Sequence, residues 1–427
     1  MGSDIMKYEF IEKIEKKEYE KFVENHPTKS HFMQSWNFGE ISKEKGFIPH
    51  FVGVRKNKKL VATALLLQKK LYKNICYFYS PRGYVLDFKD YELLKYFTNQ
   101  IKEYTKKYHS IFTAIDPDVQ LQKLDINGNV VEGDNNYALV EYLKSLGYKH
   151  LGFNKNFENK EPRYTFRLNL EPSIEEIHKN MHATTRKVLN KGNQYNLDCY
   201  IGNSSDLDGF YFTMKETAVR EGITPFKYSY YKSFYETFNK DNESDLYIVR
   251  VDINKLKENY KNQIKDIENS IDNLKNLKNK EKANNLLKDY NNKLSRLNKD
   301  FELINNIKED KLVLSSIITV KYGNKVWTVH GGNCNRLREL NANYLIYDKI
   351  ICDAKKENYQ IIDFFGTTGA DSDDNKIHGI HLFKKRLGGE YTEFIGEFHL
   401  ITNKFLYVLY QKLLPLYSKM RKKIAKK

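Results

Sequence analysis

Apolar and polar positions follow two rhythms along the 427-residue chain, and the changes of rhythm divide it into segments. Short, mostly apolar runs at Phe51–Arg55, Leu60–Leu67 and Asn74–Tyr79 predict three strands, the first two joined as a hairpin. Helical spacing of Leu93, Leu94, Phe97, Ile101 and Tyr104 predicts a helix over 91–108. A strand from His109 to Asp116 follows, closed by Pro117, and then a helix from Tyr137 that stops at Gly147. Residues 1–160 thus read as one mixed α/β unit. A second begins near Arg163 with a strand at Tyr164–Leu170. Ser173 and Glu176 form a capping-box pattern that opens a helix running on through Thr184–Gly192. Helices over 207–221 and 228–238 and a strand over 246–251 continue this unit.

Between Val251 and Asp310 the pattern changes character. There is no Gly or Pro, and 13 basic residues balance 11 acidic ones. Apolar residues fall at Tyr260, Ile264, Ile267, Ile271 and Leu274, then at Leu287, Tyr290, Leu294, Leu297, Phe301 and Ile304. Alternating steps of three and four on both sides of a polar break predict an antiparallel coiled-coil hairpin of helices. Strand patterns flank it, at 246–251 and at Lys311–Tyr322, the latter turning through Gly323-Asn324 into Lys325–His330. The hairpin, 251–310, is therefore an arm inserted into the second unit, which comprises 161–250 and 311–400. A helix over 339–358 and a strand at Ile361–Gly366 complete that unit.

Charge sharpens this division. The net charge is +16, and half of it lies in 401–427, which carries eight Lys/Arg and no Asp/Glu. That segment has an apolar stripe from Leu406 to Ile424, interrupted by Pro415, beside a basic face. Such a helix either docks on the body or lies on an anionic membrane surface. Four scattered cysteines without Cys-x-x-Cys spacing exclude a zinc ribbon and a disulfide framework and fit a reducing compartment. The first ten residues lack an apolar signal region, and no window approaches the ~20 apolar residues of a membrane span. A cytoplasmic protein is expected.

Familiar catalytic signatures are missing: there is no Gly-x-Ser-x-Gly, Walker loop, His-Glu-x-x-His or dinucleotide fingerprint. No metal or cofactor is expected. The stretch Ile380–Gly389 stands out instead. It reads as a basic loop in which Phe383, Lys384, Lys385 and Arg386 precede the glycine pair Gly388-Gly389 and a strand from Glu390 to Glu397. Charge beside an aromatic ring suits a nucleic-acid end, and a lysine there can stabilise an oxyanion in acyl transfer. Gly331-Gly332 and Gly366–Gly369 read as tight turns.

An ordered series of motifs then resembles the Fem aminoacyltransferases, the FemABX family. The series comprises His31–Glu40, Phe51–Val54, Tyr79–Asp87, Ile115–Asp118, Leu146–Phe153, Met214–Gly222, Gly331–Asn333, Asp363–Gly366 and Phe383–Gly389. The resemblance spans nearly the whole chain, and the helical insertion is itself a mark of the FemA-type members. It implies an α/β fold of two domains like the GNAT acyltransferases. It also implies transfer of an amino acid from aminoacyl-tRNA to the stem peptide of a peptidoglycan precursor, either lipid II or UDP-MurNAc-pentapeptide. By motif match, Phe383 and Lys384 resemble the pair at the tRNA's terminal adenosine and reacting ester, with Lys385 and Arg386 as supporting charge. Arg220 looks like the arginine that grips the precursor's diphosphate, and Asp116 matches an acidic position near the acceptor. Gln34, Lys43, Arg82, Tyr231, Gly331 and Gly332 fall among the lining positions.

Departures from the family pattern bear on the acceptor. Where relatives carry a precursor-binding lysine this chain has Ser42, with Lys43 adjacent, and Trp327–His330 replaces a tyrosine expected before the glycine pair. Ala218 stands where relatives acting on the soluble nucleotide precursor have Thr. These changes favour a lipid-linked acceptor. The competing readings are a same-fold acyltransferase with another donor, against which the missing CoA pyrophosphate loop counts, and a non-catalytic RNA- or membrane-surface adaptor. The heptads can also serve dimer contacts, with a second copy or a related transferase.

Overall fold

The computed structural model describes residues 8–190, 195–371 and 375–413. Two mixed sheets carry the fold. The first has seven strands in the order Tyr8–Ile11, Phe47–Lys56, Lys59–Tyr72, Ile75–Ser80, Ser110–Ile115, Phe398–Ile401 and Tyr148–His150. The second has nine, in the order Asp198–Gly202, Ser244–Asp252, Lys311–Tyr322, Lys325–Asn333, Ile361–Asp363, Tyr164–Asn169, Glu390–Phe394, Gln120–Leu124 and Val130–Asn135. Pairing is antiparallel except between Ile75–Ser80 and Ser110–Ile115 and between Lys325–Asn333 and Ile361–Asp363.

The sheets trade strands across position 160. Gln120–Leu124 and Val130–Asn135 leave the N-terminal half for the second sheet, and Phe398–Ile401 enters the first. The single strand expected over Glu390–Glu397 is instead Glu390–Phe394, ending before Ile395-Gly396-Glu397. Gly396 takes φ +95°, and beyond it the chain pairs with the other sheet as Phe398–Ile401. A left-handed glycine lets the chain turn from one sheet to the other. A shared core lies between the halves, where Tyr19, Phe32 and Phe51 meet Phe234, Phe238 and the fully buried Trp327. Trp36 stacks on Phe51 with ring centres 3.8 Å apart.

The inserted hairpin consists of the helices Ile253–Leu274 and Lys280–Asn305, packed against each other. Most of the heptad positions face inward: Tyr260, Ile267, Leu297 and Ile304 are buried and Ile264, Ile271, Leu274, Tyr290, Leu294 and Phe301 half-buried, whereas Leu287, near the tip, is exposed. The arm grows from a continuous strand pair, since Asp252 and Lys311 are register partners.

Two helical expectations need correction. The helix opened by Ser173 does form its capping box but ends at Asn180, and a separate helix covers Ala183–Asn190. Met181 is extended and buried between them, so apolar burial overrides helical propensity there. The stretch read as a basic loop is instead the end of the helix Asn375–Arg386. It unwinds at Leu387, and Gly388 and Gly389, at φ +87° and +92°, turn into the next strand. At the C-terminal end 404–413 is helical and packs Leu406, Tyr407 and Tyr410 against Tyr79, Ile111 and Phe112. The rest of the stripe, from Leu414 on, lies outside the described residues.

Candidate functional site

The helix Asn375–Arg386 places Lys384 where a cation is unusual. The side chain is only 9 % exposed, yet its Nζ donates to the carbonyl oxygens of Phe365, at 2.9 Å, and Gly366, at 2.7 Å. Burial pulls its pKa down to about 7, against the attraction of Asp363. An ammonium has three N–H donors, so with two on carbonyls one remains for a ligand. The neutral amine has only two, and both are already engaged.

A chain of buried groups fixes those carbonyls. Phe365 has φ +60°, an uncommon backbone state for a bulky residue, and its N–H donates to Asp363 Oδ1 at 2.8 Å. Thr165 donates to the same oxygen, at 2.5 Å, while Asp363 Oδ2 accepts from Arg167 Nε at 2.9 Å. Arg167 reaches Asp118 through Nη2, at 2.8 Å. Burial alone would raise the Asp118 carboxyl, but Arg167, Lys325, His31 and Lys29 outweigh it and hold the group well below the usual carboxylate range. Each charge is thus compensated along the line from Asp118 to Lys384.

Lys384 opens onto a cavity of about 780 Å³ that also takes in Phe383, Arg386, Arg220, Gly331 and Gly332. Six positions that the sequence scatters between 220 and 386 come together here. Phe383 is held edge-on by Tyr344, with centres 5.1 Å apart, and Tyr347, at 5.2 Å. Arg220 projects from the helix Leu207–Glu221 and donates to Asn335 Oδ1 at 2.5 Å and to Glu221 Oε1 at 2.8 Å. Gly331 and Gly332 lie in a strand, so the tight turn expected there is corrected. A Cβ at Gly332 would sit 2.5 Å from the carbonyl carbon of Thr213, so the residue lets strand and helix touch. Thr217, one turn before Arg220, ties that helix to Asn333 by exchanging hydrogen bonds of 2.8 and 3.2 Å. Lys385 points the other way, into a second cavity of about 820 Å³, and donates to Asn127.

A second cluster gathers around the loop Ser80–Arg82. Asp116 accepts from Tyr79 Oη and from the Arg82 backbone N–H, both at 2.7 Å. Burial pushes its pKa up to about 6, opposed by Arg82. Gln34 is fully buried, donating to Pro81 O and Ser80 Oγ and accepting from Leu65 N–H, so it holds the loop rather than lining a cavity. Tyr231 is likewise buried, its hydroxyl accepting from Phe226 N–H. Lys43 faces solvent in an ion pair with Glu40 at 2.6 Å. Its neighbour Lys45, which the sequence pattern did not single out, lies over the rings of Phe226 and Tyr230 at 4.2 and 4.4 Å. Near it, Glu161 has its pKa raised to about 7 by burial, with Arg82 opposing. The two clusters share parts. The Phe394 ring carries Arg82 at 4.3 Å and Arg167 at 5.1 Å, and Asp116-Pro117-Asp118 feeds one carboxylate to each.

Residues 14–414 match the FemAB family. The chain belongs to that family. Aminoacyltransferase FemA of Staphylococcus epidermidis is 28% identical over 413 residues, covering 93% of this chain and 97% of that protein. The lipid II:glycine glycyltransferase of Staphylococcus aureus is 25% identical over 427 residues, covering 97% and 98%. Among solved structures, the crystal structure of FemX superimposes with a TM-score of 0.74 at 24% identity, covering 95% of this chain and 99% of that one. The FemAB match thus takes in both clusters, from Gln34 to Arg386. Among the described residues no group of His, Cys, Asp and Glu could hold a metal ion, and no helix is long and apolar enough to cross a membrane.

Proposed function

We propose that this FemAB-family aminoacyltransferase moves an amino acid from aminoacyl-tRNA onto an amine of a peptidoglycan precursor's stem peptide or growing bridge, with lipid II as the acceptor. The observation that carries the reading is the buried ammonium of Lys384, pinned by two carbonyls with one donor left over, beside Phe383 in a cavity that also holds Arg220. The acceptor amine attacks the ester carbonyl carbon, whose oxygen becomes an oxyanion. Lys384 donates its third N–H to that oxygen. Collapse of the intermediate breaks the bond to the ribose oxygen, which takes a proton as the amide forms. Proximity does most of the rest, since an ester and an amine need no covalent enzyme intermediate.

In this reading Phe383 presents a ring to the terminal adenosine, with Arg386 supplying charge beside it and Lys385 on the far side of the helix. Arg220 grips the diphosphate through its guanidinium fork. Asp116, protonated part of the time near neutrality, stands with Glu161 at the acceptor end and takes up the proton the amine releases. The arm is a coiled coil in a two-domain GNAT-like scaffold, with domains at 1–160 and 161–250 plus 311–400.

The test incubates the protein with fully charged total tRNA and either lipid-linked or nucleotide-linked pentapeptide, and reads the acceptor's mass. A gain of one or more aminoacyl residues on the lipid-linked form is expected. Arg220→Ala should raise KM for the acceptor by roughly tenfold or more, the scale of a charge-assisted hydrogen-bond pair, with a smaller effect on kcat. No mass gain with either acceptor contradicts the assignment.

A further inference from the structure

The helix at 404–413 is apolar on two opposite sides. One side is docked, with Leu406, Tyr407 and Tyr410 packed on the first sheet. The other carries Phe405, 78 % exposed, together with Val408, Leu409 and Leu413, all exposed. Positions 405, 409 and 413 repeat every four residues and 408 lies between them, so the four form one outward row. A row of bare aliphatic and aromatic side chains on a helix that is already seated calls for a second apolar contact.

The body extends this row. Tyr72, 67 % exposed at the tip of the hairpin Lys59–Ser80, is the register partner of Ile75. Directly paired residues share a sheet face, and Ile75 packs into the same cluster as Leu406 and Tyr410. The tip thus stands on the face that the helix covers, with Leu71 also exposed and Lys73 Nζ 5.4 Å from the Tyr72 ring centre. An exposed tyrosine backed by a lysine is the arrangement found at a membrane–water boundary.

Charge selects the occupant. Lys412, seven positions after Phe405, lies on the same face as the row and Lys404 lies beside it, and the sequence that follows, 414–427, holds six Lys/Arg and no Asp/Glu. A second copy of the chain on this face would bring two such segments together, at a cost in repulsion. RNA would meet the cations and stack a base on Phe405, but it offers nothing to the aliphatic Val408, Leu409 and Leu413. An anionic bilayer satisfies both, taking apolar side chains into the acyl boundary and cations at its headgroups. We propose that the face formed by helix 404–413 and the tip at 71–73 rests on an anionic lipid surface. This does not depend on the aminoacyl-transfer reading.

The test is co-sedimentation of the full chain with vesicles of mixed phosphatidylglycerol and phosphatidylcholine, against vesicles of phosphatidylcholine alone. Binding to the anionic vesicles is expected, weakening as salt rises. The triple variant Phe405→Gln, Val408→Gln, Leu409→Gln should partition about tenfold or more weakly, and Tyr72→Ser should weaken binding to a lesser degree. All four side chains are exposed, so an unchanged thermal melt is the accompanying control. Absence of vesicle binding overturns the proposal. Equal binding of the triple variant overturns it too, since adsorption by charge alone leaves the apolar row idle. A dimer in solution that the triple variant abolishes assigns the face to a second copy, and equal partition into both kinds of vesicle removes the anionic requirement.

Discussion

Lys384 shows how far a residue's chemistry depends on its neighbours. Its sequence context, three consecutive cations near a glycine pair, describes a solvated segment. The fold buries it and gives it two carbonyls, and those carbonyls point inward because Asp363 holds the Phe365 N–H in a left-handed turn. Asp363 is therefore a positioning residue, acting through the backbone and through its charge. Asp363→Asn keeps an acceptor for Thr165 and Phe365 but removes the charge that favours the ammonium. The lysine is charged below its pKa and neutral above it, so the transfer rate should fall as pH rises through about 7 in the wild type. In Asp363→Asn that falling limb should move to lower pH, with kcat reduced and the acceptor KM little changed. A pH–rate profile identical to the wild type would remove Asp363 from this role. None of the partners Asp118, Arg167, Thr165 and Asp363 could be joined from the sequence, because the contact brings together two strands and a loop from distant segments. Lys43 and Lys45 teach the same lesson: two positions apart, one points to water and the other lies over two rings.

At the scale of elements, patterning was legible in the longer segments with one face buried and the other wet, and it passed over short ones such as Gln120–Leu124 and Trp36–Ser42. The helix Leu207–Glu221, the strands around the 322–325 turn and the arm all follow from periodicity alone. Two further elements escaped it for reasons the structure shows. Val130–Asn135 is exposed along its whole length, so it has no buried face to mark it. Asn375–Arg386 sets Lys384 on its buried side, so polar residues interrupt the stripe that would identify a helix. The arm allows a direct test, because its base packs into the apolar cluster of the nine-stranded sheet and its tip does not. Tyr260 is buried at the base, whereas Leu274 to Leu287 is mostly polar and exposed. Replacing 272–286 by a short Gly/Ser turn should leave the melting temperature within a few degrees of the wild type. Tyr260→Ala should cost about 3–5 kcal/mol by leaving a cavity among Tyr195, Leu297 and their neighbours. Collapse of the shortened protein, or a silent Tyr260→Ala, would show that the arm is not built this way.

For the whole molecule, the order of motifs said more than any one of them. No single stretch distinguishes an enzyme from a basic scaffold, yet the series from His31 to Gly389 led to the family that residues 14–414 match. What the order could not give is the interlocking of the halves. The sheets exchange strands at Gln120–Asn135 and at Phe398–Ile401, and Phe394 lies beneath both Arg82 and Arg167. The cluster around Asp116 and the cluster around Lys384 are thereby fastened to one another through Asp116-Pro117-Asp118. That arrangement gives the most direct test to Lys384→Ala, assayed by mass with charged tRNA and lipid-linked pentapeptide. The account predicts a protein that melts as a folded species while transfer falls by roughly 10²-fold or more, the scale for loss of an oxyanion donor. Near-normal transfer by a folded Lys384→Ala would contradict it.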